Sequence, residues 1–324
     1  MRVRIKFAKT GSLRYVGHLD FMRAVQKIIR RSSIEAAYTK GFSPHHILSF
    51  ASPLGVGLES TGEYFDLELA YRDPFEMDKA DLSRLNSIGL ENDALPDVPS
   101  SEWILARLNR EAPEGVRFLG MRRVGENSEK AMALVRAADY TVFLESGAFA
   151  GNDAASLLNS FLAQKEIIVH KVTKKTESDI DIRPLIFEAS VRRGSVSDYS
   201  LQAAGFIEKE QLAFSSKPLQ DTQARSDSEA VGHSAQDYSL QSTSLNEQET
   251  LALEATSRIC QEGYPIIIDM ALSAGSAANL KPETVVEAMC AFANIPYDPF
   301  SFRILRREMY MEGGMTLLDK GISF

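Results

Sequence analysis

RVRIKFAKTGSLRYVGHLDFMRAVQKIIRR, residues 2–31, holds a strand, a turn and a helix in that order. Arg2–Ala8 alternates cationic with apolar side chains, the period-two mark of a half-buried strand. Leu19–Arg31 has a helical period instead: Leu19, Met22, Val25 or Gln26, and Ile29 fall on one face, with Phe21 and Ile28 beside them. Arg23, Lys27, Arg30 and Arg31 fall opposite, as one basic stripe. Working outward, Ile34–Tyr38 reads as a short strand and Glu63–Tyr71 as a longer one with clear alternation. Pro74 and Phe75 lead into a helix through about Leu85, and Val116–Val124 reads as a strand. The order is β-α-β-β-α-β, the ferredoxin-like pattern.

The order recurs downstream. Asp139–Glu145 is a strand, Asp153–Ala163 a helix and Ile167–Thr173 a strand. Ile180–Ile186 is a short strand whose Pro184 suits an edge. Tyr264–Leu272 follows as a strand, then a helix at Pro282–Phe292 with Pro at its start, then a strand at Phe302–Tyr310. The expectation is an α+β chain of tandem ferredoxin-like halves, residues 1–125 and 126–324. Residues 215–246 stand apart: eight Ser, several Gln and no aliphatic cluster predict a disordered insertion, because nothing there offsets the entropy of ordering. The pentapeptide DYSLQ occurs at 198–202 and again at 237–241.

Of 324 residues, 44% are hydrophobic and 25% charged, an ordinary globular balance. No run of about eighteen apolar residues is present, so no membrane span is expected. Residues 1–11 lack the apolar core of a secretory signal, and a cytoplasmic location is expected. Cys260 and Cys290, far apart in apolar surroundings, predict two buried thiols rather than a disulfide framework. No CxxC, CxxxCxxC or HxxxH occurs, so neither a metal site nor a resident cofactor is expected. The net charge of −8 conceals an asymmetry: residues 1–46 hold ten Lys or Arg against Asp20 and Glu35. That is +8, and the remaining chain carries −16. One basic face on an acidic protein keeps nucleic acid open as a ligand.

The densest run of loop-forming and functional side chains is KGFSPHH, residues 40–46, followed by SFASPLGVGLESTGEY. Lys40, Phe42, His45 and His46 suit phosphate binding and the stacking of a base or ring; the bland alternative is a loop covering a sheet edge. Gly55-Val-Gly57 lacks both phosphate-loop contexts and reads as a turn or bulge. Tyr15 and His18 suit an acid/base pair with Arg14 stabilising an anion, against a structural reading in which His18 caps the helix and Tyr15 packs. Asp179, Asp181 and Arg183 read as one strand face, suited to an oxygen-ligand metal site or, more commonly, to solvated ion pairs. ALSAGSAAN, residues 271–279, reads equally as a loop that accepts an anion at the following helix N-terminus and as a plain connecting loop; Arg303, Arg306 and Arg307 read as a second basic patch.

The segments RVRIKFAKTGSLRYVGHLDFMRAVQKIIRR, KGFSPHHILSFASPLGVGLESTGEYFDLEL, KKTESDIDIRPLI and LSAGSAANLKPETVVEAM together resemble a bacterial family of radical-SAM-associated (radical-SAM-linked) proteins of unknown function. The resemblance covers most of the chain outside the Ser/Gln-rich segment. It implies a radical-SAM protein encoded nearby as partner, often close to a gene for an RNA-processing ribonuclease. The leading expectation is an accessory protein that binds or presents substrate, RNA among the candidates, through Arg14, Arg23, Lys27, Arg30, Arg31, Lys40, Phe42, His45 and His46. The alternatives are a metal-independent ribonuclease or transferase using Tyr15 and His18, and a structural subunit docking an acidic protein.

Overall fold

A computed structural model describes residues 1–71, 99–125, 127–149, 151–172, 177–193 and 239–323. The sequence analysis's helix from Pro74 and most of its Ser-rich segment lie outside these residues. In chain order the elements are β1 (Arg2–Lys9), α1 (His18–Arg31), β2 (Leu48–Phe50), β3 (Leu58–Glu68), α2 (Ser101–Glu111) and β4 (Val116–Val124). Next come α3 (Ala131–Leu134), β5 (Ala137–Leu144), α4 (Ala154–Leu162), the hairpin β6 (Ile168–Val172) and β7 (Glu177–Asp181), and β8 (Ile186–Arg193). The chain ends with α5 (Ser239–Gln261), β9 (Ile266–Ser273), α6 (Pro282–Phe292) and β10 (Phe302–Tyr310).

One eight-stranded mixed sheet runs β4-β1-β3-β10-β5-β9-β8, with β2 also on β3. Its pairs are antiparallel except β3 with β10, which run parallel over Leu58–Ser60 against Ile304–Arg306. Within each set of four strands the spatial order is fourth, first, third, second: β4-β1-β3-β2, then β10-β5-β9-β8.

Alternation in β1 turns Val3, Ile5 and Phe7 to one face, where Phe21, Val25, Ile28 and Ile29 of α1 and Ile104 and Leu108 of α2 cover them. Each such buried side chain contributes about 1.5–3 kcal/mol. Ser100 caps α2, accepting from the Trp103 N–H, and Asp153 caps α4, accepting from Ser156. In the second half, α4 and α6 pack Leu158, Phe161, Val285 and Met289 on Val142, Leu144 and Ile268. On the opposite face, Ala252, Ala255 and Ile259 of α5 cover Phe143, Ile267 and Leu305.

The parallel seam between the halves is polar. Ser60 Oγ donates to the Arg306 carbonyl at 2.9 Å, and Thr61 to that of Arg307 at 3.3 Å. Gly62 lies so close to β10 that a Cβ there would collide with the Arg307 carbonyl and Glu308 Cα. Glu63 pairs with Arg306, and Glu308 accepts from both Lys6 and Tyr64. These groups are buried yet mutually satisfied, the condition under which such charges are tolerated.

Several sequence expectations are corrected. Residues 34–38 make only isolated bridges, Ala36 to Leu69 and Tyr38 to His46; the short strand is β2, ten residues further on. β3 begins at Leu58, five residues before the expected start. Ile180–Ile186 is not one strand: β7 ends at Asp181 and pairs with β6 in a separate hairpin, and β8, which was not anticipated, begins at Ile186 and takes the edge of the main sheet. α2 and α5 were not anticipated either, and the expected disordered segment ends in helix, because α5 starts at Ser239. Leu19 is exposed rather than packed; the buried face of α1 is centred on Phe21, Val25 and Ile28. Cys290 is buried, Cys260 only half-buried, and both are free thiols.

Candidate functional site

The loop after α1 folds into a hairpin-like turn. Thr39 N–H donates to the His45 carbonyl at 2.9 Å, Ile47 N–H to that of Ala37 at 3.0 Å, and His45 N–H to Thr39 Oγ1 at 3.1 Å. Residues 40–44 form the tip, where Gly41 takes a φ of +123° that L side chains rarely adopt. Anchored below and bare above, the tip holds Lys40 exposed and Phe42 fully in solvent.

The two histidines separate at this tip. His45 is exposed, and its Nδ1 lies 3.2 Å from the Ser43 carbonyl. The Thr39 hydroxyl lies equally close to Nδ1, at 3.2 Å. His46 is buried against Tyr38, ring centroids 4.5 Å apart, and its Nδ1 has no hydrogen-bond partner. Burial depresses its pKa, and the charge of Arg30 and neighbouring His45 depress it further.

Along α1 the basic stripe divides in two. Arg23 is held by Asp20 at 2.9 Å. Arg31 turns to α2, donating to the Glu111 carbonyl at 3.1 Å and lying 3.7 Å from its carboxylate. Lys27 and Arg30 are exposed, and among the described residues no carboxylate pairs with either.

Arg14 is buried and belongs to a different cluster. With Arg258 and the Gly11 N–H it surrounds the Glu59 carboxylate. Its other side donates to the Tyr15 hydroxyl at 3.1 Å, which lowers the phenol's pKa. His18 does not join this pair. Its ring meets Phe50 edge-on at 5.2 Å in a narrow pocket with Lys9 and Glu63, where burial lowers its pKa.

The remaining sequence candidates disperse. Asp179 holds His170 at 2.8 Å, whereas Asp181 accepts from the Ile167 and Arg183 backbone N–H groups. Arg183 lies beyond β7 in a 3-10 turn, so the three do not share a strand face. Among the described residues no cluster of His, Cys, Asp or Glu is arranged to hold a metal ion. Nor do the late arginines form a patch: Arg306 is buried on Glu63, and Arg303 lies over the Tyr264 ring at 5.2 Å.

Grooves that sequence reasoning did not reveal include two with polar linings. One, of about 180 Å³, lies under the 38–46 loop and is lined by Arg2, Thr39, His45, His46, Glu68 and Lys130, among others. Its members come from four separated segments, and only the histidines carried a sequence signal. The other, of about 100 Å³, lies on the outer face of β5, β8 and β9. There Asp139 accepts from the Tyr310 hydroxyl at 2.8 Å, and desolvation raises its pKa to about 6. Asp139 was visible in sequence as a charge inside an apolar strand.

The family model described as "Uncharacterized protein conserved in bacteria (DUF2344)" matches residues 2–91 and 90–214. The first of these stretches contains α1 and the 38–46 loop. No match was found among curated proteins. Among the described residues no helix is long and apolar enough to cross a membrane.

Proposed function

From the premise that this chain belongs to a family of uncharacterized proteins conserved in bacteria, we propose that it is an accessory protein that binds RNA and presents it to a radical-SAM partner. The observation that carries the RNA part is the pair Lys27 and Arg30. Both cations are exposed and no carboxylate among the described residues pairs with either, and the charge of Arg30 is felt at His46 in the loop that displays Phe42. Exposed cations and a bare aromatic ring are what a single strand needs, phosphates on the former and a base on the latter. The tip chemistry at Lys40 and His45 adds donors and acceptors around that ring.

The radical-SAM part rests on the sequence resemblance and on cysteine arithmetic. Cluster ligation by Cys thiolates takes more than Cys260 and Cys290 offer, so in this reading the cluster belongs to the partner. We also read each half of the sheet as a ferredoxin-like unit, supported by its fourth-first-third-second strand order.

The test is fluorescence anisotropy of a labelled single-stranded oligoribonucleotide across a salt series. Affinity should fall log-linearly with salt, and the joint change Lys27→Glu and Arg30→Glu should reduce the slope by about 2. Absence of binding, or binding indifferent to salt, overturns the reading. The partnership is tested separately, by co-purifying the chain with the radical-SAM protein encoded beside it.

A further inference from the structure

The groove beneath the 38–46 loop is lined by two residues that each keep a buried polar atom without a hydrogen-bond partner among the described residues. His46 is 3% exposed, and its Nδ1 meets no hydrogen-bonding group. Arg2 gives Nη2 to the carbonyls of Gly125 and Ser128, but its Nε is buried and unmatched. Folded chains rarely leave such atoms unsatisfied, and two behind one groove mark its wall as polar. One water needs roughly 10–15 Å³; this groove offers about 180 Å³.

The lining indicates the occupant. Arg2 and Lys130 are cations, and Thr39 and Ser49 carry hydroxyls. Asp66 also lines the groove, but Arg4 holds its carboxylate at 2.7 and 3.1 Å and the Ala131 N–H at 2.8 Å, so its charge is neutralised. That leaves donors converging from several directions, which suit a tetrahedral oxyanion better than a planar carboxylate. Glu68, the other carboxylate on the lining, opposes a bare dianion and favours a ligand that also carries hydroxyl donors. A phosphate attached to a ribose has both.

We propose that this groove binds a nucleoside monophosphate unit, its phosphate on Arg2 and Lys130 and its sugar hydroxyls toward Glu68. The groove is lined by Thr39 and His45 of the loop that displays Phe42, so it adjoins the proposed RNA-binding face. The inference rests on that reading only where the unit is an RNA end; a free nucleotide would bind through the same contacts.

The experiment is isothermal titration of the full chain with AMP, adenosine and inorganic phosphate. AMP should bind, and adenosine at least about tenfold more weakly. Lys130→Glu, a change at an exposed position, should weaken AMP by about tenfold or more; Glu68→Gln should weaken AMP without weakening phosphate. Equal binding of adenosine and AMP, an AMP affinity untouched by Lys130→Glu, or no heat up to roughly 10 mM AMP overturns the proposal and leaves the groove to water. Competition of AMP by a 5′-phosphorylated oligoribonucleotide, and not by its 5′-hydroxyl counterpart, identifies an RNA end as the source; AMP binding without such competition identifies the free nucleotide. Failure of the RNA reading shows elsewhere, as missing salt-dependent oligonucleotide binding, so the two failures are separable.

Discussion

Both carboxylate oxygens of Glu63 accept from the Arg306 guanidinium at 2.6 Å, across 243 positions of sequence, with both side chains shielded from water. The pair sits at the parallel seam and clamps the last strand of the chain to the third. Glu63→Gln leaves a buried cation without its counter-charge and should cost about 3–5 kcal/mol in urea unfolding. The double change Glu63→Leu with Arg306→Met removes both charges and should cost distinctly less. A double variant as unstable as the single one argues against the pair as the clamp.

Asp139 makes stability depend on pH in a direction unusual for a carboxylate. Desolvation raises its pKa from 3.8 to about 6, so the folded state holds a proton that the unfolded chain has released. The stabilisation is therefore present below about pH 4, declines as pH rises through 6, and is gone above. Because Asp139 is only partly shielded from water, the change should be about 2 kcal/mol. Asp139→Asn keeps an acceptor for the Tyr310 hydroxyl and should raise the melting temperature at pH 7 while flattening its pH profile between 4 and 6. A variant that melts lower at pH 7 contradicts this.

Arg30 and Arg31 are neighbours in sequence with different work. Arg30→Ala should lower the salt slope of RNA binding by about 1 with little change in stability. Arg31→Ala should leave the slope alone and cost under about 1 kcal/mol through the lost Glu111 contacts. Equal effects on RNA binding would show the stripe to be undivided.

Arg14 holds the Tyr15 phenol below its ordinary pKa by hydrogen bond and charge. Arg14→Met should move the Tyr15 titration upward, read as tyrosinate absorbance in difference against Tyr15→Phe. An unchanged titration means that Arg14 serves Glu59 alone.

Strand and helix periodicity made β1, α1, β4, β5, α6 and β10 legible from sequence, because each buries one regular face. β2 was misplaced because three residues are too few for alternation to register. β8 was missed because FEASVRR mixes charge with apolar residues along a half-open edge. In the candidate site, Lys27, Arg30, Phe42 and the histidines were legible as composition. What sequence could not give was pairing: that Arg31 reaches Glu111, that Arg14 is taken by Glu59, or that Arg306 is buried. These depend on partners tens to hundreds of positions away, which no local pattern encodes. The lining of the groove by Arg2, Glu68 and Lys130 was hidden for the same reason.

The parallel pairing of Leu58–Ser60 with Ile304–Arg306 also governs the order of assembly. During translation, β3 emerges early, yet the neighbour for that stretch of its edge is among the last segments made. Until then the nascent chain carries an open strand edge, available to other chains. Truncation before Phe302 leaves that edge unpaired permanently and strands the Glu63 carboxylate without its cation. Prematurely terminated copies should therefore be recovered as aggregates rather than as a folded first half, even though that half has its own helices and core.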